Sequence, residues 1–215
     1  YEAEEYYEAL NLVESLISLG RRAEMSGAYS SAADAYCSSV DILFEAGKVE
    51  ATLKLIGPLK SVAQQLEKAE EYGAASSAYE KAADILISSD KTEEAVELVE
   101  PLKSVAQQLE KAGEYGKASD AYNEAANILQ EQGQLDSALS MLTGFAERCS
   151  EAGMREHEAW AYRWMAYYLL KTNRTPEALT YRDTLQSLAR AFEKDSSTWW
   201  SAGMAWWVVA DLDKA

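Results

Sequence analysis

Histidine occurs once in the 215 residues, cysteine twice and proline three times. The single histidine, His157, leaves a His-based metal centre or a Ser-His-Asp relay without partners. Cys37 and Cys149 lie far apart within helical patterns and read as packed thiols rather than a disulfide or metal pair. The chain has no CxxC pair, no Gly-rich phosphate loop and no GxSxG turn. Adjacent carboxylates such as Glu70-Glu71 and Glu93-Glu94 read as a solvated face. These absences lead us to expect no catalytic residues, no metal and no cofactor. There is no signal-peptide pattern, and no apolar run approaches the ~18 residues of a membrane span. The compartment is therefore cytoplasmic by default, with secretion left open.

Basic charge is also scarce, with 20 Lys and Arg against 36 Asp and Glu, a formal net charge of −16. Such a surface argues against nucleic acid or an anionic membrane as partner. The charge is uneven. Residues 1–147 carry 27 acidic and 11 basic side chains, whereas residues 148–190 carry five and seven. An acidic N-terminal part and a near-neutral, Arg-rich part follow.

What the sequence does contain is a repeat. The twelve residues from Pro58 to Ala69 return letter for letter from Pro101 to Ala112, 43 positions later. Two independent ladders keep the same time. Tyr36, Tyr79, Tyr122, Tyr162 and Trp199 step by 43, 43, 40 and 37, and so do Thr52, Ala95, Ala138, Ala178 and Ala215. Ala, Glu, Leu and Ser dominate, β-branched residues are few, and apolar residues recur at helical spacing, so every repeat reads as helix.

Taken in order, helices are expected over about 1–25, 31–45, 49–69, 73–88, 92–112, 116–132, 135–152 and 156–171. A ninth runs from Pro176 to Lys194, and a tenth follows Asp195-Ser196-Ser197. Ser30-Ser31 offer caps for the second helix, and Gly47, Gly113, Gly133 and Gly153 offer the positive φ that ends a helix. Pro58 and Pro101 stand at the same phase. Each marks a kink or a short break, and the bend is expected in each repeat. The total is about ten antiparallel helices in five hairpins, repeating near 1–46, 47–89, 90–132, 133–173 and 174–215. No hairpin buries its apolar stripe alone, so the hairpins stack.

Gly113-x-Tyr115-x-x-Ala118-x-x-x-Tyr122-x-x-Ala125 resembles the centre of the tetratricopeptide (TPR) motif. Tyr72, Ala75, Tyr79 and Ala82 fit the same positions, and Tyr29, Ala32 and Tyr36 fit in part. Small residues let helices approach, and the ring fills the hole between them. The repeat is 37–43 residues rather than the usual 34, similar to long-repeat solenoids such as those of vesicle-fusion adaptor (SNAP) proteins. The first helix departs from the family pattern, with Leu102, Val105 and Ala106 in place of its large–small pair. The resemblance implies an all-α, right-handed α-α superhelix over residues 1–215; its ends are expected to be open, because the last helix is apolar nearly all round and Tyr1 begins inside a helix. It also implies a concave groove lined by the first helices, holding a segment of another protein.

In that geometry the groove-facing residues are Arg21, Lys60, Gln64, Lys103 and Gln107, with Glu67, Lys68, Glu110 and Lys111 beside them and Glu147 later. Glutamine both donates and accepts, which suits an extended backbone. The alternative is that a young duplication left exposed residues unchanged. Trp160, Tyr162, Trp164, Tyr167 and Tyr168 read as core, with Arg163 stacking on a Trp as the other reading. Asn173-Arg174-Thr175 matches a glycosylation acceptor and reads as a chance triplet. Two functions follow. One is a non-enzymatic scaffold binding another protein, with a Lys- or Arg-bearing segment suiting the acidic part. The other is a structural subunit stacking head to tail on copies of itself. Its end-to-end interface would use Tyr6 and Tyr7 at one end and Trp199, Trp200, Trp206 and Trp207 at the other.

Overall fold

The computed structural model describes residues 2–193 together with Gly203, Trp206, Val209 and Ala210, with side chains from Asn11 onward. Every secondary-structure element among these residues is helical. The chain divides into two compact units, residues 1–112 and 113–215.

In the first unit α1 (Glu2–Met25) and α2 (Tyr29–Glu45) form a hairpin. The next repeat is α3 (Val49–Leu53), α4 (Ile56–Lys68) and α5 (Tyr72–Ser88), and α4 packs on both α2 and α5. Then come α6 (Thr92–Ala95), a 3-10 turn (Val96–Leu98) and α7 (Val99–Lys111), which packs on α5. The twelve-residue copies therefore occupy equivalent helices. Leu59, Val62, Ala63 and Leu66 of α4 are fully buried, as are Leu102, Val105, Ala106 and Leu109 of α7. Each such leucine contributes about 1.5–3 kcal/mol by leaving water. The opposing helix answers with small residues, Ala75, Ala78, Ala82 and Ala83, around the buried ring of Tyr79.

The second unit holds α8 (Tyr115–Glu131), α9 (Leu135–Glu151), α10 (Arg155–Lys171), α11 (Thr175–Ala178), a 3-10 turn (Leu179–Tyr181) and α12 (Arg182–Phe192). Here α9 packs on α8 and α10, and α12 packs on α10. Gly203, Trp206, Val209 and Ala210 are also helical.

The turns share one device. Seven backbone N–H groups reach back five residues: Ala28 to Ala23, Lys48 to Leu43, Glu71 to Leu66, Lys91 to Leu86, Gln134 to Leu129, Met154 to Cys149, and Arg174 to Leu169, at 2.7–2.9 Å. The residue before each donor has positive φ, and this is the Schellman closure of a helix end. Glycine fills that place at 27, 47, 133 and 153, but Glu70, Asp90 and Asn173 adopt φ of 59–61° there. A side chain in this conformation costs about 1–2 kcal/mol.

Three expectations need correction. The bend is not in every repeat, because α1 and α9 run unbroken. Where breaks occur, at 54–55, 96–98 and 179–181, a proline follows the first two three residues later but none follows the third, so the break does not need a proline after it. Pro58 and Pro101 instead occupy the third position of α4 and α7, within the first turn, where the missing N–H would have had no helical partner. Next, Ser30-Ser31 do not cap α2, which starts one residue earlier at Tyr29 and has no side-chain cap. Finally, the tyrosine ladder changes at its fourth rung. Tyr36, Tyr79 and Tyr122 are 1–2% exposed, whereas Tyr162 is only half-buried and meets Tyr181 in a tilted contact with centroids 5.7 Å apart. In α10 the fully buried Met165 stands where α8 has Ala125, and Tyr168 takes the deep aromatic position.

Candidate partner-binding face

Arg21, Gln64 and Gln107 sit at one phase of α1, α4 and α7, 43 residues apart, and all three are exposed. Lys60 and Lys103 lie one turn earlier on α4 and α7 and are half-buried. Their ammonium groups are engaged. Lys60 Nζ pairs with Glu97 Oε2 at 2.6 Å, across to the turn that leads into α7. Lys103 Nζ pairs with Glu100 Oε1 of its own helix at 2.7 Å. The copies diverge because their surroundings do. Position 57 is glycine where position 100 is glutamate, and Ser140 stands 43 residues after Glu97. The Glu97 and Glu100 side chains are 70% and 79% exposed, so these pairs present carboxylates to solvent. The Lys60 ammonium donates to Glu97 and holds its carboxyl below the usual range.

A second ladder faces inward. Tyr36 donates its hydroxyl proton to Glu24 Oε2 at 3.1 Å, and Tyr79 donates to Glu67 Oε2 at 2.7 Å, again 43 residues apart. Each carboxylate reaches from the end of a first helix to the polar tip of the ring below it, giving the buried tyrosine its partner. Glu24 also accepts from Ser61 Oγ at 3.4 Å. Burial, then the hydrogen bond to Glu24, pushes Tyr36 up to about 12, and burial with Glu67 pushes Tyr79 up as well. Glu67 is thus tied to Tyr79, while Lys68 is exposed beside it. Tyr36 lies so close to α1 that a Cβ on Gly20 would stand 2.7 Å from its ring.

Within the first unit, polar contacts between neighbouring repeats line the surface. Ser30 donates to Glu71, and Lys81 Nζ pairs with Asp41 at 2.9 Å. Exposed pairs of this kind are worth about 0–1 kcal/mol. They set register more than stability.

The second unit differs in chemistry. Arg148 Nη2 donates to the Tyr122 hydroxyl at 3.0 Å, and Phe145 packs on that ring with centroids 4.9 Å apart. The Tyr168 hydroxyl donates to Asn123 Oδ1 at 2.9 Å, and burial raises its pKa. The Arg163 guanidinium lies over both Trp160 and Trp164, at 4.1 and 4.7 Å from the rings, and Tyr167 is 49% exposed beside them. Glu147, the later member of the Arg21 ladder, is exposed on α9. His157 stacks on Tyr115 and lines a cavity of about 320 Å³ with Met154, Arg155 and Phe192, and burial lowers its pKa. Among the described residues no three His, Cys, Asp or Glu side chains are grouped to hold a metal. No described helix is long and apolar enough to cross a membrane.

Of the residues expected at the ends, Tyr6 and Tyr7 fall on α1, with side chains outside the described set, and Trp199, Trp200 and Trp207 lie outside it altogether. Trp206 is half-buried and donates its indole N–H to Glu193 Oε1 at 2.7 Å. Asn173 is the left-handed residue of the turn after α10. Sequence reasoning missed Glu97 and Glu100, for which no periodic signal existed. It also passed over Glu24, although Glu24, Glu67 and Glu110 keep the 43-residue step.

Solved structures share this arrangement of helices. TPR-like repeats of a Podosopora anserina protein named for a kinesin light chain superpose with a TM-score of 0.64 at 16% identity, covering 91% of each chain. A single-substitution variant of them gives 0.65 at 16% identity, covering 90% of this chain and 91% of that one. The fold is a TPR-like helical repeat. The chain matches no protein-family model and no curated protein sequence.

Proposed function

We propose that the protein is a non-enzymatic scaffold that holds a segment of another protein along α1, α4 and α7. The observation that carries this reading is the row of exposed Arg21, Gln64 and Gln107 at one phase of three successive first helices. The amides offer donors and acceptors to an extended backbone. The pairs Lys60–Glu97 and Lys103–Glu100 flank them, with the lysines held and the carboxylates outward. An acidic rim of this kind selects a segment carrying Lys or Arg. The test is a partner recovered with the intact protein. Replacing Gln64 and Gln107 by Ala while reversing charge at Lys60 and Lys103 abolishes its binding. Unchanged affinity would reject this face.

A second reading, self-association of copies, is favoured by one observation: Leu12 and Leu19 on α1 are 57% and 46% exposed. Light scattering at raised concentration tests it, and a strictly monomeric species would rule it out.

A further inference from the structure

The outward side of α10 does not carry what the other second helices carry there. By the repeat step, Trp160, Arg163, Trp164 and Tyr167 stand where α8 has Asp120, Asn123, Glu124 and Asn127, and where α5 has Ser77, Glu80, Lys81 and Asp84. That phase faces water even between repeats. Helices α2 and α7 both pack on α5, which still exposes Ser77 and Asp84. Nor are the α10 rings needed to fill the interior, which already holds the buried Ala161, Met165 and Tyr168 of this helix. They form a platform instead. Trp164 meets Tyr167 edge-on with centroids 5.8 Å apart and Tyr168 in a stacked contact at 6.1 Å, and Tyr167 stays 49% exposed.

The Arg163 guanidinium lies on this platform, 4.1 Å from the Trp160 ring and 4.7 Å from the Trp164 ring. A guanidinium held by its face keeps its N–H edge free for an acceptor in its own plane. Among the described residues no hydrogen bond or ion pair engages that edge, whereas Arg148, Lys171 and Arg174 of the same unit all have partners. Burial alone lowers the Arg163 pKa, with no carboxylate acting on it. The α8 carboxylates Glu124 and Glu131 act on Tyr168 instead, and Lys171 pairs with Glu131 at 2.6 Å. A half-buried cation on aromatic rings therefore lacks a counter-charge. The geometry points to a docking site on the outer side of α10 for an acidic segment of another protein, in which one carboxylate pairs with both edge donors of Arg163 and an adjacent aromatic side chain rests on Trp164 and Tyr167. A single cation matches a single carboxylate, whereas a phosphate of about −2 charge calls for a second one. Residues 148–190, with seven basic and five acidic side chains, admit such a segment where residues 1–147 repel it. This site is independent of the face on α1, α4 and α7 and takes the opposite charge.

The probe is a blocked, dye-labelled pentapeptide with one glutamate between two phenylalanines, titrated with the intact protein by fluorescence anisotropy. It binds, and exchanging its glutamate for glutamine weakens binding at least about tenfold. Arg163→Gln in the protein has the same effect. Arg163→Lys, which keeps the charge and loses the planar fork, weakens binding at least about threefold. Lys171→Gln, which removes another cation of the same helix, leaves it unchanged. Circular dichroism confirms that each variant is as helical as the parent; should Arg163→Gln lose helix, the glutamine peptide against the parent protein decides the question alone. Equal affinity for the glutamate and glutamine peptides, or no binding of the glutamate peptide at ~1 mM, would overturn the site. Tighter binding of the peptide with phosphoserine in place of glutamate would overturn the carboxylate assignment. Self-association of the protein that disappears on Arg163→Gln would overturn the partner in favour of a second copy.

Discussion

The two units place a tyrosine at the same repeat phase, and its hydroxyl meets a carboxylate in the first and a guanidinium in the second. In the first, Tyr36 and Tyr79 give their hydroxyl protons to Glu24 and Glu67. In the second, the Tyr122 hydroxyl accepts from Arg148, and Tyr162 leaves the deep position to Met165 and Tyr168. The ring is held by shape, set by small residues opposite it, whereas its polar tip takes whichever partner the neighbouring helix provides. Geometry persists while charge changes. This matches the shift from an acidic N-terminal part to an Arg-richer one.

The largest effect should come from emptying that shape. Tyr79→Ala costs about 3–5 kcal/mol in urea denaturation, while Tyr162→Ala, at the half-buried rung, costs less than half as much. Equal losses would mean that the fourth rung is as deep as the second. Gly20→Ala tests the same contact from the other side. The new methyl meets the Tyr36 ring, and overpacking of this kind costs about 1–3 kcal/mol, although the equivalent positions hold the buried Ala63 and Ala106.

Next in size is the carboxylate at the ring tip. Unfolded tyrosines ionise near pH 10, but Tyr36 holds its proton to about 12, and Tyr79 is raised as well. Above pH ~10 the unfolded chain binds fewer protons than the folded one, so stability falls as pH rises. The urea midpoint measured between neutral pH and strong alkali shows this, and Tyr36→Phe with Tyr79→Phe flattens the alkaline slope. At neutral pH each of those changes costs about 0.5–1.5 kcal/mol for the lost hydrogen bond.

The smallest prediction has an internal control. Glu70 holds a positive φ at a turn where its copy, 43 residues on, is Gly113. Glu70→Gly should stabilise the protein by about 1 kcal/mol, seen as a raised urea midpoint. No gain would mean that Glu70 makes a compensating contact.

Helix positions, turns and the buried stripe were legible because the 43-residue step repeats both the apolar pattern and the left-handed turn residues. Tyr162 was not, because substituting Met165 and Tyr168 for Ala125 and Ile128 moves volume around the helix without disturbing the ladder's spacing. The breaks before α4, α7 and α12 were half legible. A proline follows two of them, but none follows the third, before Arg182. The lysine partners were invisible, since Glu97 and Glu100 answer Lys60 and Lys103 by different routes. The exposed leucines of α1 were hidden for a similar reason. Their spacing matches that of buried leucines, and only the structure distinguishes a covered stripe from an open one.

The claim that the molecule works through its first helices is tested most directly by calorimetric titration of a recovered partner against two variants. One carries Gln64→Ala with Gln107→Ala on the first helices, and the other carries Ser77→Ala with Asp120→Asn on exposed positions of the second helices. We expect the first to lose binding by at least about tenfold and the second to bind as the parent does. The reverse pattern would contradict the assignment.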